Sequence, residues 1–243
     1  MRYGIISDIH SNLDALQTVL GELDRAGMDQ LLCLGDIVGY GPNPNECCEL
    51  LQARNCLAIA GNHDEAAISP AQADAFNSLA REAIVWTNRE LSPVNREFLA
   101  GLPRERAFPG FVMVHGAPVF HFAYILSVFD AASAFERVGA PLTFIGHTHV
   151  AEVYSQNEQG RTFHQKLASG GTVKLERSFH YILNPGSVGQ PRDHNPQASF
   201  AYFDDDSESV EVRRISYDVM KVRRRMRTAN LPPELAERLS IGY

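Results

Sequence analysis

"RYGIISDIHSNLDALQTVLGELDRAGMDQLLCLGD", residues 2–36, is the stretch that decides the fold. Its opening, RYGIIS (2–7), reads as a buried strand. NLDALQTVLGELDRAG (12–27) sets Leu13, Leu16, Val19, Leu20 and Leu23 on one stripe at helical spacing. Ser11 or Asn12 is placed to cap that helix and Gly27 to end it. QLLCLG (30–35) is a second strand. The alternation continues with a helix, PNECCELLQARN (44–55), and a third strand, CLAIAG (56–61). Strand, helix, strand, helix, strand predicts a sheet with parallel pairs and right-handed crossovers.

Further along, residues 64–100 read as partly polar helices punctuated by Pro70 and Pro93. Two more apolar strands follow, GFVMVHG (110–116) and PLTFIG (141–146), with a helix DAASAFERVG (130–139) between them. Beyond residue 150 the pattern turns to alternating strands separated by turn residues such as NEQG and SGG. From Tyr217 a helix, a break at NLPP and a short helix ELAERL are expected. No flexible linker divides the chain, so residues 1–243 are expected to form one α/β domain: a two-sheet β-sandwich flanked by helices. The helices within about 64–110 either cap a site or pack as an outer layer.

Composition narrows the function classes. The chain has 243 residues, 44% hydrophobic and 21% charged, which suits a globular enzyme with a sizeable core. A formal net charge of −7 argues against general binding to nucleic acid or to an anionic membrane. The opening MRYGIISDIHSN has a short apolar run interrupted by Asp8, unlike a signal peptide, and no stretch is long and apolar enough to span a bilayer. Cys33, Cys47, Cys48 and Cys56 are too few and too clustered for a secreted disulfide scaffold. The expected location is the cytoplasm.

Chemistry-bearing residues follow each apolar strand. They are Asp8 and His10, then Asp36, then Asn62, His63 and Asp64, then His115, then His147 and His149. Five of the chain's 9 histidines fall at these ends, and random placement would scatter them. Ligands of open α/β sheets sit at the carboxyl ends of strands. His147 and His149, two apart on an extended segment, face the same side. If these groups converge without a cation, Asp8 and Asp36 repel and one must be protonated. A divalent ion removes the conflict, and nitrogen and oxygen donors without thiolate suit Mn, Fe, Zn or Ni. Glycines before Asp36, Asn62 and His147 permit sharp turns and close backbone approach.

Taken in order, DIH (8–10), GDIVGYG (35–41), GNHD (61–64), VHG (114–116) and GHTH (146–149) resemble the motif series of the calcineurin-like metallophosphoesterases. The resemblance spans about residues 1–190. NPGSVGQPR (184–192) is similar to the corresponding segment of their small bacterial phosphodiesterase type. It implies a four-layer αββα fold and two divalent metal ions, manganese being the expected one. Asp8, His10, Asp36 and His149 would hold the first ion. Asp36, Asn62, His115 and His147 would hold the second, with Asp36 bridging. The implied reaction is in-line attack on phosphorus by a hydroxide held between the metals, with His63 protonating the leaving oxygen. Asp64 either orients His63 or caps the helix that follows.

The sequence departs from the Ser/Thr protein phosphatase branch, which carries G-D-x-x-D-R-G and G-N-H-E. Gly39 and Tyr40 stand where that branch has Asp and Arg, and Asp64 stands for Glu. The expected substrate is therefore a small organic or nucleotide phosphodiester. A phosphomonoester or a dinucleoside polyphosphate is the alternative within the enzyme class, and a non-catalytic metal-binding interaction scaffold is the alternative outside it. Tyr40 either shapes the substrate pocket or packs within its loop. Arg192 either clamps phosphate or pairs with a surface carboxylate. Asn184 and Ser187 either line the site or simply form a turn. His121, His164, His180 and His194 belong to no motif. KVRRRMR (221–227) is basic, but Val219, Val222 and Met226 form a stripe that predicts a helix docked on the core. Nothing in the sequence sets the oligomeric state.

Overall fold

The computed structural model describes residues 1–243 apart from the side chain of Pro70. The stripe at 13–26 becomes α1 (Leu13–Ala26), which links β1 (Arg2–Ile6) to β2 (Gln30–Cys33). Asn12 is the cap: its side-chain oxygen accepts the Ala15 N–H at 3.2 Å, and Gly27 ends the helix at φ 78°. Leu16, Val19, Leu20 and Leu23 are buried against Ile6, Leu31 and Cys33 of the strands beneath. Each such side chain contributes about 1.5–3 kcal/mol relative to exposure. β1 and β2 run parallel, Tyr3 opposite Gln30 and Ile6 opposite Cys33.

The chain continues through α2 (Pro44–Ala53), β3 (Leu57–Ala58), α3 (Asn62–Ile68), a 3-10 helix (Pro70–Ala75), α4 (Ser78–Glu90) and α5 (Pro93–Ala100). Then come β4 (Glu105–Phe108), β5 (Phe111–Val114), α6 (Val128–Phe135), β6 (Leu142–Phe144), β7 (Ala151–Asn157) and β8 (Thr162–Lys166). The last elements are β9 (Gly171–Lys174), β10 (Phe179–Pro185), β11 (Ala198–Asp204), β12 (Ser209–Ile215), α7 (Val219–Thr228) and α8 (Pro233–Ile241).

These strands make two mixed sheets of six, in the orders β3-β2-β1-β11-β12-β9 and β4-β5-β6-β10-β7-β8. Tyr3, Ile5, Leu32 and Phe203 of the first sheet meet Phe111, Met113, Phe144 and Leu183 of the second in a shared core. Alternation along β1 explains the layering, since Ile5 faces that core and Ile6 faces α1. On the far side, α6 covers the second sheet through Ala131, Ala134 and Phe135. Helices outside two face-to-face sheets match the expected sandwich.

Three local expectations change. The strand expected at 56–61 shortens to Leu57–Ala58, because after Ile59 bonds Cys33 O the next N–H due to face β2, that of Gly61, donates to Asp64 Oδ2 instead. β4 was not legible as a strand: it is a short, largely exposed edge strand, and edges tolerate charge and lack an apolar run. The helix expected at 130–139 runs from Val128 to Phe135, its start set by the Ser127 side chain accepting the Asp130 N–H. No helix among the described residues is long and apolar enough to cross a membrane.

Candidate metal centre

The strand ends are knitted to one another by the backbone. Asp8 N–H bonds Gly35 O at 3.0 Å, His10 N–H bonds Asp36 O at 2.9 Å, and Gly146 N–H bonds His115 O at 2.8 Å. Within this lattice Asp8, His10, Asp36, His147 and His149 all adopt left-handed backbone, with φ of 52°, 47°, 53°, 68° and 60°. Such conformations cost about 1–3 kcal/mol each in non-glycine residues and persist only where the surroundings enforce them. Two glycines allow the close approach. A Cβ at Gly61 would collide with Asp36 Oδ1, and one at Gly146 would collide with Ser7 Oγ. Asn184 donates to Gly146 O at 2.7 Å and Thr148 Oγ1 at 2.9 Å, while Ser187 Oγ donates to Asp8 O at 2.8 Å. Both residues therefore brace the loops that carry the converging side chains.

The side chains converge in two groups that share Asp36. One atom from each of Asp8, His10, Asp36 and His149 lies within 4.8 Å of the others, and the same holds for Asp36, His115 and His147. His10 Nε2 is 3.1 Å from His149 Nε2 and 3.5 Å from Asp36 Oδ2. His115 Nε2 is 3.3 Å from Asp36 Oδ2, and His149 Nε2 is 3.4 Å from Asp8 Oδ1. Three rings are oriented from behind, each with Nδ1 on a carbonyl: His10 on Val38 at 3.2 Å, His115 on Leu34 at 2.7 Å and His149 on Gln190 at 2.6 Å. That arrangement protonates Nδ1 and turns the Nε2 lone pair inward.

Electrostatics supply the test of fit. Burial pushes the Asp8 carboxyl up to about 6 and the His147 imidazole down to about 3, and it carries His10 and His149 well below the ordinary histidine value. Burial opposes charge on His115, but Asp36, Asp8 and the Leu34 carbonyl together outweigh it and hold His115 up to about 9. Asn62 Oδ1 and His147 Nε2 are buried without a hydrogen-bond partner. Orphaned acceptors beside two buried carboxylates are costly unless a cation meets them. The donor set, all oxygen and nitrogen, fits first-row divalent ions.

The remaining predicted residues surround this cluster. His63 is buried at the start of α3, its N–H bonded to Asp36 Oδ1 at 2.8 Å. Its ring packs between those of Tyr40 and Phe76, with centroids at 4.4 and 4.9 Å. Asp64 accepts the Gly61 N–H at 2.9 Å and the Val38 N–H at 3.1 Å. Its carboxylate thus caps α3 and ties it to the loop after β2, and no hydrogen bond joins it to His63 among the described residues. Tyr40 both packs under α7 and α8 and lines the cavity beside the centre. Arg192 has no carboxylate partner among the described residues. It donates to Gln190 Oε1 at 2.9 Å and faces the cavity, while its neighbour Asp193 takes the Arg214 guanidinium.

That cavity measures about 940 Å³ and is lined by Asp36, Asn62, His63, His147 and His149 on the side of the centre. Sequence reasoning missed much of the rest. Tyr124 stacks on the His147 ring at 4.1 Å, Phe122 and Phe76 add aromatic surface, and Arg238 and Tyr243 arrive from the C-terminal hairpin. None belongs to a motif. Arg238 lies in the expected helix ELAERL, but its facing depends on how that helix docks. The basic stretch 221–227 does dock, burying Val222 and Met226.

Comparison with known proteins agrees with this geometry. The calcineurin-like phosphoesterase superfamily domain is matched over residues 1–208. An uncharacterised protein of Methanocaldococcus jannaschii is 38% identical, the match covering 98% of this chain and 97% of that one. The crystal structure of a metallophosphoesterase from Sphaerobacter thermophilus is 38% identical with a TM-score of 0.87, covering 100% of this chain and 99% of that one. A hypothetical protein from Pyrococcus horikoshii shares the fold at 21% identity and a TM-score of 0.79, covering 100% and 98%.

Proposed function

The chain belongs to the calcineurin-like phosphoesterase superfamily, and on that premise we propose that it hydrolyses a small organic or nucleotide phosphodiester at a dinuclear centre. The observation that carries this reading is the inward convergence of Asp8, His10, Asp36, His115, His147 and His149, of which Asp36, His147 and His149 open onto a roomy cavity.

Asp8, His10, Asp36 and His149 would hold one ion, and Asp36, Asn62, His115 and His147 the other. Bound there, the ions supply the charge that draws in phosphoryl oxygens and acidifies the attacking water. Manganese is the proposed metal. The protein's own residues do the remainder. His63, held at the cavity edge by its backbone bond to Asp36, delivers a proton to the leaving oxygen. Arg192 steadies the phosphate with its fork of donors. Asp64 positions His63 by fixing the first turn of α3. Space for organic groups on both sides of phosphorus, with Phe76, Phe122 and Tyr124 to contact them, supports a diester. The 3-10 helix and Phe76 and Asn77 before α4 form a wall of the cavity, in keeping with a cap. Four free thiols, three of them buried, are in keeping with the reducing cytoplasm.

The test is turnover of bis(p-nitrophenyl) phosphate and p-nitrophenyl phosphate by protein loaded in turn with Mn, Fe, Zn or Ni, with His63→Ala as the control. Faster hydrolysis of the diester is expected, with manganese supporting it best. No turnover of either ester by the ion-loaded protein would point instead to an interaction scaffold.

A further inference from the structure

The C-terminal hairpin of α7 and α8 lies outside the region matched by the superfamily domain, yet it reaches the centre. Its apolar face packs on Tyr40 and α4 through Val222, Met226, Leu235 and Leu239. Against His10 and Tyr40 it leaves a gap of only about 10 Å³. Both ends are fastened. Lys221 and Arg225 pair with Asp14 at 2.6 and 2.7 Å. At the other end Gly242, at φ 66°, accepts the His194 N–H at 2.8 Å, and a Cβ there would strike the Asn195 backbone. The hairpin is thus locked to the segment that carries Arg192.

This docking sets Arg238 on the cavity wall, where it joins Arg192. Among the described residues neither guanidinium has a carboxylate partner. Asp74, the acidic side chain on the lining outside the metal centre, is paired with Arg81 at 2.9 Å. Two unneutralised guanidiniums around one cavity repel each other, and an anion that reaches both relieves the repulsion. On the phosphoesterase reading, the phosphoryl group that reacts would engage Arg192. Arg238, on a different element, is left for another.

We propose that Arg238 is the cation of a second anion subsite, so that the substrate is a phosphate ester bearing a further phosphoryl group beyond the one that reacts. The inference rests on the phosphoesterase reading above. It makes Arg238 a binding and specificity residue, remote from the bond that breaks.

The experiment compares binding of orthophosphate, pyrophosphate and linear triphosphate to the manganese-loaded protein by calorimetry, for wild type, Arg238→Gln, Arg238→Lys and Arg227→Gln. Arg227 is exposed on α7 and controls for loss of charge from the hairpin. In wild type the longer anions are expected to bind about tenfold tighter than orthophosphate or better. Arg238→Gln should erase most of that preference, Arg238→Lys should keep part of it, and Arg227→Gln should keep it all. With nucleotide esters the loss should fall on KM rather than kcat. Equal affinity for the three anions in wild type, or an undiminished preference in Arg238→Gln, overturns the inference while leaving the phosphoesterase reading intact. Failure of all three anions to bind, together with no turnover of aryl esters, overturns both.

Discussion

His115 Nε2 stands 3.3 Å from Asp36 Oδ2, the carboxylate oxygen that also faces His10. In the ion-free protein this is a buried ion pair: burial opposes it, but Asp36, Asp8 and the Leu34 carbonyl together hold His115 up to about 9. A metal takes the same nitrogen only after its proton has left. Loading at pH 7.5 is therefore expected to release about one proton per chain from this pair, with apparent affinity rising towards pH 9 and levelling above it. Calorimetry in buffers of different ionisation heat measures the release, and a buffer-independent heat would refute it. Stability of the ion-free fold moves the opposite way with pH. A histidine raised above its unfolded value stabilises the ion-free fold below pH about 6.5, and that contribution is lost as pH climbs through 9.

Asp36 is common to both ligand groups, and Asp36→Asn keeps its shape while removing its charge. The variant should bind at most one ion tightly and lose activity by about 10²–10³-fold or more. Elemental analysis after desalting counts the ions. Two retained ions with full turnover would remove Asp36 from the bridging role.

His63→Ala should retain its metal and lose about 10²–10⁴-fold in kcat. The loss should be smaller for a p-nitrophenyl leaving group than for an alkyl one, because a good leaving group needs no proton. An equal loss for both would argue that His63 shapes the cavity instead of donating a proton.

Asp64→Ala strands the buried N–H groups of Gly61 and Val38. Leaving buried donors unsatisfied costs about 1–3 kcal/mol each, so thermal unfolding should shift clearly downward. The fall in kcat should not depend on the leaving group, which separates a positioning role from a share in proton transfer.

How much of this was readable beforehand depended on which kind of signal each residue carries. Asp8, His10, Asp36, His115, His147 and His149 could be nominated from the chain because scarce residue types recur at the ends of apolar strands. The sandwich was legible because period 3.6 gives way to period 2 near residue 150. What stayed hidden lacks periodicity. Phe122 and Tyr124 sit in an irregular loop, and Arg238 is one charge among several on a short helix whose facing only tertiary packing decides. For Arg192 both partners open to it in sequence were chemically sound. The structure removes the surface carboxylate, since Asp193 is taken by Arg214 and the guanidinium turns to the cavity. The end of β3 is hidden because its apolar run continues to the point where the Gly61 N–H turns from the sheet to the Asp64 carboxylate.

The positive φ angles of Asp8, His10, Asp36, His147 and His149 carry a warning for mutagenesis. Asparagine visits this backbone region readily, alanine much less so. An alanine scan of the centre would fold a conformational penalty into every number and inflate each residue's apparent share in the chemistry. Asparagine at the aspartate and histidine positions alike gives the fairer measure.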